Sequence, residues 1–501
     1  MDRERPGYAV IRVGSTGRIA LALRPVLGDI AGMDQLTTLM RRPWRREVAG
    51  TLALAVPLVV GQLCIMGQNA ADVLLAGHVS AHVLGAVGVG TSLWWLVQMA
   101  MAGVLLSVSP AVSQLDGAGR RAEIGPVFVQ SLWLAAGIGL IGTTVVALGG
   151  PALVTAMGVD APLRDDISTF LRVIALAAPA MALFVACRGL SEGLSLPRPS
   201  MLMGLAGLML LVPLSWLLMF GPFGLPPLGA LGSAIAGVIV AYTQAIGFAL
   251  ILRTGRRYRG LGWRLAWRLP RTMWLRPLLT TGLPIAGSMI LESGLFTTAA
   301  LVIARFGPAA AGGHQVAMSV AALWFMIPLG IAFASTVRVG RAAGRHDISG
   351  ARKAGMVAFA LVVGSQCVSS AVLLSFPHAI ASLYSQDPEV RAWATMLLRF
   401  AAIFQLADGI QVAAIASLRG LKDTRWPMLL TGVAYWIVGM PVGVVCSYRL
   451  GMGPSGMWIG LIAGLATAAV ALLTRFVWLT RSPQDWREPR LTRVAIDASP
   501  E

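Results

Sequence analysis

The 501-residue chain is 56% hydrophobic and only 12% charged, and its mean hydropathy is +0.74. These values lie far outside the range of soluble globular domains and indicate a membrane protein with many spans. The net charge of +18 would suit a nucleic-acid partner, but basic residues of membrane proteins also collect in cytoplasmic loops, so their positions decide between the two.

The N-terminal segment, residues 1–46, is predicted to be a cytoplasmic tail. Its apolar stretch "IALAL" is too short for the hydrophobic region of a signal peptide, and Arg24 and Pro25 interrupt it. Met33 offers an alternative start, which would leave residues 1–32 out of the protein.

Apolar runs of about 20 residues, the length that crosses about 30 Å of hydrocarbon, follow along most of the remaining chain. They predict twelve membrane spans, which we number in chain order. The predicted spans 1 to 12 cover residues 49–76, 83–112, 126–150, 167–190, 200–220, 229–252, 278–304, 314–337, 354–376, 392–418, 427–448 and 455–479.

Basic residues cluster at alternate ends of these spans. "RRPWRRE" precedes span 1, "GRRAE" follows span 2, an Arg-rich segment follows span 6, and "RVGRAAGRHDISGARK" and "RGLKDTR" follow spans 8 and 10. The intervening loops, such as "GHVSAH" and "GMGPSG", are nearly uncharged. The positive-inside rule therefore predicts that both termini, including the tail 481–501, are cytoplasmic. This distribution explains the charge without a nucleic-acid partner.

The chain also repeats itself. "GAGRRAEIG" at 117–125 matches "AAGRHDISG" at 342–350, "CRGLSEG" matches "LRGLKDT", and "FLRVIAL" matches "LLRFAAI", at offsets of 225, 231 and 227 residues. Duplicated halves are common in transporters. We predict an all-α protein with two six-helix lobes, 47–252 and 278–480, joined by a basic linker at 253–277. Because six is even, the repeat is parallel, about an axis along the membrane normal.

Three carboxylates fall inside apolar spans: Asp72, Glu292 and Asp408. A charge in hydrocarbon is costly unless it faces a cavity or a partner. Arg399 is the partner to consider for Asp408, but nine residues along one helix separate their backbones by about 13 Å. Without a fixed cation, such a site favours an exchangeable one: Na⁺ held by oxygen atoms, or protons taken up on burial. A carboxylate bonded within the bundle is the structural alternative.

These segments together resemble the multidrug and toxin extrusion (MATE) transporters, in particular their bacterial NorM-like branch. The resemblance covers residues 49–480 and is carried by "NAADVLLAGHVSAHVLGAVGVG", "SPAVSQLDGAGRRAEIG", "GLPIAGSMILESGLF", "AGGHQVAMSVAALWFMIPLGIAFASTVRVGRAAG" and "FQLADGIQVAAIASLRGLKDTRWPM". It implies export of organic, often cationic, compounds across the inner membrane in exchange for Na⁺ or H⁺. The family's cation-site carboxylates correspond to Glu292 and Asp408, and its first-helix aspartate to Asp72.

The chain departs from this family at two places. Phe404 stands where many relatives carry a tyrosine, one turn before Asp408, and it has no hydroxyl to bind an ion. In the first lobe, the usual asparagines and threonine are replaced by Leu211, Ser215 and Gly237. Both departures favour H⁺ over Na⁺ without deciding between them. Gln68 and Asn69 lie one turn from Asp72. They either compensate for the missing polar side chains of the first lobe or only form hydrogen bonds to neighbouring helices.

Several further side chains are candidates for the substrate cavity or for auxiliary ion ligands. Aromatic faces attract cations, although aromatic residues also pack in cores or face lipid. These candidates are Trp94, Trp95, Gln315, Trp324, Phe404 and Gln405. Pro57 and Pro284 are repeat-related, and each removes a helical hydrogen bond. They therefore mark either kinks at which the helices bend during alternating access or static kinks that only serve helix packing.

Two other functions are considered. A membrane enzyme is not expected, because all five histidines fall in loops or at predicted helix ends and no HExxH or GxSxG motif is present. A flippase for lipid-linked precursors is the alternative, although such proteins use arginines to hold pyrophosphate. We predict a monomeric antiporter for lipophilic cations, with no prosthetic cofactor and no metal beyond a transient Na⁺.

Overall fold

The computed structural model describes residues 24–224, 226–261 and 269–481, and all regular structure in these residues is helical. Two compact units divide the chain, Met1–Glu47 and Val48–Glu501. The first unit is helical from Arg24 onward. Part of the predicted linker, at 262–268, and the predicted tail at 482–501 lie outside the described residues.

The twelve predicted spans are confirmed. Eleven helices of the described chain are long and apolar enough to cross a membrane, and a bent pair supplies span 4. Spans 1 to 6 are Trp44–Val79, which is part of the helix Arg24–Val79, then Ala81–Gly117, Arg121–Ala156, Ala161–Ile174 with Ala177–Gly193, Arg198–Phe220 and Gly229–Thr254. Spans 7 to 12 are Thr272–Ala304, Pro308–Gly344, Ile348–Ser375, Pro388–Gly420, Arg425–Arg449 and Pro454–Leu479.

Several spans are interrupted or accompanied by shorter elements. Span 2 breaks between Ala81–Leu105 and Val108–Gly117. The two parts of span 4 meet at 43°. π-helical turns at Val145–Gly149, Ala434–Gly439 and Val445–Arg449 interrupt spans 3 and 11. Short helices outside the spans are Pro222–Gly224, Arg256–Tyr258 and Pro377–Tyr384.

Helix starts follow ordinary capping chemistry. The Asp387 carboxylate accepts the backbone N–H groups of Glu389 and Val390 at 2.8 and 3.3 Å, and Pro388 occupies the first helical position of span 10. Asp347 caps span 9 in the same way, accepting the Gly350 N–H at 2.7 Å. That backbone bond lowers the pKa of Asp347 below its usual range.

Two large hydrophobic clusters form the core of the second unit. One extends from Ala76 to Leu278, and the other extends from Leu295 to Phe476 but also contains Ala55 and Leu58. The beginning of span 1 therefore packs with the second lobe, and the beginning of span 7 packs with the first. Many outward apolar side chains are exposed, as a lipid-facing surface requires.

Glycines bring these crossing helices into backbone contact. A Cβ on Gly103 of span 2 would lie 2.5 Å from the Ala286 Cα of span 7, and Gly282 meets Val104 in the same interface. The repeat-related contact joins spans 8 and 1, where a Cβ on Gly330 would lie 2.8 Å from the Val59 nitrogen. Small residues permit such approach in membrane bundles, where close packing drives helix association.

The Gly103 contact predicts a steric response to the smallest possible side chain. Gly103→Ala is expected to destabilise the solubilised protein by about 1–3 kcal/mol through overpacking. The matched control is Gly137→Ala, because a Cβ there has no atom within 4 Å. Thermal unfolding followed by fluorescence-detected size exclusion measures both. Equal melting temperatures for the two variants would contradict the close contact.

Candidate functional site

A cavity of about 490 Å³ lies in the first lobe, and Thr297 of span 7 contributes to its wall. Asp72 supplies its acidic group, and of the predicted cavity residues four line it: Gln68, Asn69, Trp94 and Trp95. Its other polar side chains are Thr91, Ser92, Gln98, Ser233 and Gln244. The cavity thus joins one carboxylate to aromatic faces and neutral polar groups, a combination that attracts organic cations.

A serine hydroxyl holds Asp72 in this wall. The fully buried Ser215 donates to the Asp72 carboxylate at 2.9 Å, whereas Ser233 lines the same cavity with a hydroxyl that has no hydrogen-bond partner among the described residues. Of the three residues that replace the usual polar set of the first lobe, Ser215 therefore supplies an oxygen beside the carboxylate, whereas Leu211 and Gly237 only line the cavity. Ser233 was missed because its alignment with Asp72 depends on the packing of span 6 against span 1.

The two polar residues next to Asp72 differ in their contacts. Gln68 donates through Nε2 to the Gly204 carbonyl of span 5 at 3.4 Å, and Asn69 is exposed. Gln244 anchors the same region by donating to the Met203 carbonyl at 3.0 Å. Gln68 thus forms a hydrogen bond to a neighbouring helix, which is one of the two roles considered for it from the sequence.

The second-lobe carboxylates form a second acidic site, which lies outside this cavity. Glu292 on span 7 and Asp408 on span 10 are close enough for their charges to repel. Asp408 is 6% exposed, and its Oδ1 has no hydrogen-bond partner among the described residues. Glu292 has one long contact, from Gln411 Nε2 at 3.5 Å. Buried carboxylate oxygens are normally satisfied, so this pair is poised to bind something further.

One cationic side chain influences this pair electrostatically, although it forms no ion pair with either carboxylate among the described residues. The Arg419 guanidinium attracts Glu292, although its Nε has no hydrogen-bond partner among the described residues. Eleven residues along span 10 put the Arg419 backbone about 16 Å from that of Asp408. The positions of Arg419 and Asp408 along span 10 do not indicate this attraction, because Glu292 lies on span 7.

An aromatic layer lies next to the acid pair, one turn toward the loop between spans 7 and 8. Phe296 and Phe404 are each four residues from a carboxylate, Glu292 and Asp408 respectively, and share its helix face. Their rings are 5.9 Å apart, and Phe404 lies 5.5 Å from Trp458. Phe404 is thus a buried packing residue at 3% exposure.

The remaining candidates of the second lobe lie away from the first-lobe cavity. Gln405 is buried and accepts a hydrogen bond from Ser369. Trp324 packs beside the second-lobe core, and Gln315 is exposed. The prediction that the histidines lie in loops or at helix ends is wrong for His314, which is 4% exposed within span 8 and stacks edge-on against Trp458.

Cross-lobe contacts close the end of the lobes that carries the basic loops. Asp116, at the end of span 2, forms an ion pair with Arg341 of span 8. Arg341 also donates to Ser195 at 3.2 Å, and Gln114 donates to the Gly420 carbonyl at 2.8 Å. Gln114 and Arg341 are repeat-related, so the two lobes grip each other by similar contacts. These contacts hold the two lobes together at this end.

Comparison with known proteins places this architecture among membrane transporters. The MatE family profile matches residues 57–217 and 284–445, one segment in each lobe. The chain belongs to the MatE family, and it is a transporter rather than an enzyme.

Similar proteins span nearly the whole chain. A probable multidrug resistance protein NorM of Xanthomonas campestris is 44% identical over 86% of this chain and 94% of its own length. The multidrug resistance protein PmpM of Pseudomonas aeruginosa is 37% identical over 91% and 96%. A crystal structure of a MATE transporter in complex with MaL6 superposes with a TM-score of 0.82 at 19% identity, over 88% and 98% of the two chains. That likeness shows the fold.

The first-lobe cavity predicts charge-dependent ligand binding. Asp72→Asn is expected to weaken binding of ethidium by about tenfold, or about 1.4 kcal/mol, since it removes the only acidic side chain among the described residues that line the cavity. Quenching of tryptophan fluorescence in the purified protein measures the affinity. Asp165→Asn, which removes a 75% exposed carboxylate, is the control. An unchanged affinity in Asp72→Asn would show that ethidium binds elsewhere.

Proposed function

We propose that this protein exports lipophilic organic cations across the bacterial inner membrane in exchange for H⁺ or Na⁺, with both termini in the cytoplasm. Membership of the MatE family and relatives named as multidrug resistance proteins support export of drug-like compounds. The basic loops support the orientation. The acidic, aromatic cavity supports the charge of the substrate.

The observation that carries ion coupling is the pair formed by the half-buried Glu292 and the buried Asp408. Two mutually repelling carboxylates with few hydrogen bonds are unfavourable when both are ionised and empty. A bound cation or proton relieves that cost. Coupling needs an affinity that differs between the two conformations of the transporter, since a ligand bound equally shifts nothing. Hydration of the pair in one conformation and not in the other supplies that difference.

Alternating access then requires the cross-lobe contacts to separate. The Asp116–Arg341 ion pair and the Gln114–Gly420 bond lie at the end that we assign to the cytoplasm. Their closure fits a conformation whose binding sites face outward. Pro57 and Pro284 lie in the crossing halves of spans 1 and 7, where a helix that lacks a backbone bond bends most easily.

A flippase for lipid-linked precursors remains the second candidate function. Pyrophosphate recognition calls for arginine or lysine side chains, and none lines the described first-lobe cavity. Export of anionic dyes as readily as cationic ones, or accumulation of lipid-linked precursors on deletion of the gene, would favour the flippase. Substrate efflux from everted vesicles, with Na⁺ and pH gradients imposed separately, tests the antiporter directly.

Neutralising the second-lobe pair is expected to abolish coupling without loss of the fold. Glu292→Gln and Asp408→Asn each keep the side-chain shape and remove a buried charge, so expression and thermal stability should be maintained. Gradient-driven efflux should fall below about a tenth of wild type, consistent with loss of a coupling free energy above about 1.4 kcal/mol. Glu389→Gln, at an exposed helix start, is the control. Normal transport by both variants under either gradient would make the pair structural.

Locking the closed end is expected to stop transport. A Cβ on Gly340 would lie 3.3 Å from the Ser113 Cβ, near the separation found in disulfides. In a background without the native cysteines, Ser113→Cys with Gly340→Cys should form a cross-lobe disulfide on oxidation. Efflux should then fall below about a tenth of the reduced sample, because the lobes cannot separate, and a reductant should restore it.

Each single-cysteine variant, oxidised in parallel, controls for the tight fit at Gly340. The native cysteines to be replaced are Cys64, Cys187, Cys367 and Cys446. Full transport by the cross-linked protein would show that this end stays closed throughout the cycle.

A further inference from the structure

Tyr435 is the largest polar side chain of span 11 buried beside the acid pair. It is 0% exposed, and its hydroxyl has no hydrogen-bond partner among the described residues. A buried tyrosine hydroxyl normally finds a partner, because an unpaired polar group in a dry interior is costly. The residue lies in the π-helical turn Ala434–Gly439, and such turns within α-helices are frequent at functional sites.

Packing fixes the register of this turn against span 7. The next residue, Trp436, donates through Nε1 to the Leu291 carbonyl at 3.3 Å. Its ring would lie 3.1 Å from a Cβ on Gly294. The indole thus grips span 7 on either side of Glu292. On the opposite side, the turn packs closely on span 12, because a Cβ on Gly439 would lie 3.0 Å from the Gly464 Cα. The turn therefore cannot shift easily.

Held in this way, the Tyr435 side chain extends to the acid pair. Its hydroxyl interacts electrostatically with both Glu292 and Asp408, and Gln411 lies beside it. Three oxygens here have no hydrogen-bond partner among the described residues: Asp408 Oδ1, Gln411 Oε1 and the Tyr435 hydroxyl. The side chains that bear them come from spans 10 and 11, and span 7 adds the Glu292 carboxylate. The three atoms that lack a partner are all oxygens, which are suitable ligands for a hard cation.

We propose that Tyr435 determines the use of Na⁺ by this site, its hydroxyl completing the oxygen set formed by Glu292, Asp408 and Gln411. The inference rests on the proposed ion-coupled function. A sodium ion needs several oxygens at once, whereas a proton needs one carboxylate. Loss of a neutral hydroxyl therefore weakens Na⁺ binding and leaves protonation available. The missing hydroxyl at Phe404 of span 10 is thus supplied from span 11.

The test compares Tyr435→Phe with wild type in the purified full-length protein. Thermal stability is titrated with NaCl against choline chloride at constant ionic strength, because a ligand of the folded state stabilises it by RT ln(1 + [L]/Kd) and so raises the melting temperature. In Tyr435→Phe the apparent Kd for Na⁺ should rise at least tenfold. In vesicles, Na⁺-driven efflux should fall at least tenfold at low Na⁺, while efflux driven by a pH gradient stays within twofold of wild type.

The matched control is Tyr448→Phe, which removes the hydroxyl of a tyrosine that is 48% exposed and stacked on Phe306. It should leave both responses unchanged. A purely structural Tyr435 would alter the melting temperature equally in NaCl and choline chloride, with an unchanged Kd for Na⁺, and that result overturns the proposal. So does a wild-type protein that neither binds Na⁺ nor responds to its gradient, although pH-driven efflux would then still support the proposed function. Efflux that responds to neither gradient would overturn both.

Discussion

The close approach of backbones at Gly103, Gly282 and Gly330 is the contact on which the rest of the structure depends. Span 7 meets span 2 at the first two, and span 1 meets span 8 at the third. The beginning of each lobe's first helix thereby packs in the core of the other lobe. Leu278 of span 7 belongs to the first-lobe cluster, and Ala55 of span 1 belongs to the second-lobe cluster. Without solvent to drive association inside the bilayer, such tight packing is what holds two lobes together.

This exchange also links the lobe interface to both ion-related sites. Asp72 lies on span 1 and Glu292 on span 7, the two helices that cross between lobes. A rearrangement that opens the closed end must move or bend these helices, and it therefore changes the surroundings of both carboxylates. Coupling through a packed element with two arrangements needs no further device. Proline at positions 57 and 284 locates a weak point on each crossing helix.

The two lobes treat their carboxylates differently, although they arose from one repeat. Asp72 accepts a hydrogen bond from the Ser215 hydroxyl in the wall of a cavity, where its carboxylate is available to a ligand. Glu292 and Asp408 repel each other electrostatically next to an aromatic layer, and several oxygens near them have no hydrogen-bond partner among the described residues. In low dielectric an unpaired charge is costly, so the second site depends far more strongly on what it binds. This contrast supports a division between substrate and ion.

Much of this protein was determined by its sequence. Span number follows from the length of apolar runs, and the repeat follows from offsets near 227 residues, because both are local or periodic properties. The three carboxylates were identifiable for the same reason: a charge within an apolar run is conspicuous wherever the run packs. Only the tertiary structure decided which groups surround them. Ser233, Arg419 and Tyr435 come near these carboxylates from other helices, and His314 enters the core although it begins a predicted span. Such contacts depend on how the helices rotate and cross, and glycine packing and interhelical hydrogen bonds determine both. The spacing of residues along a single helix does not contain that information.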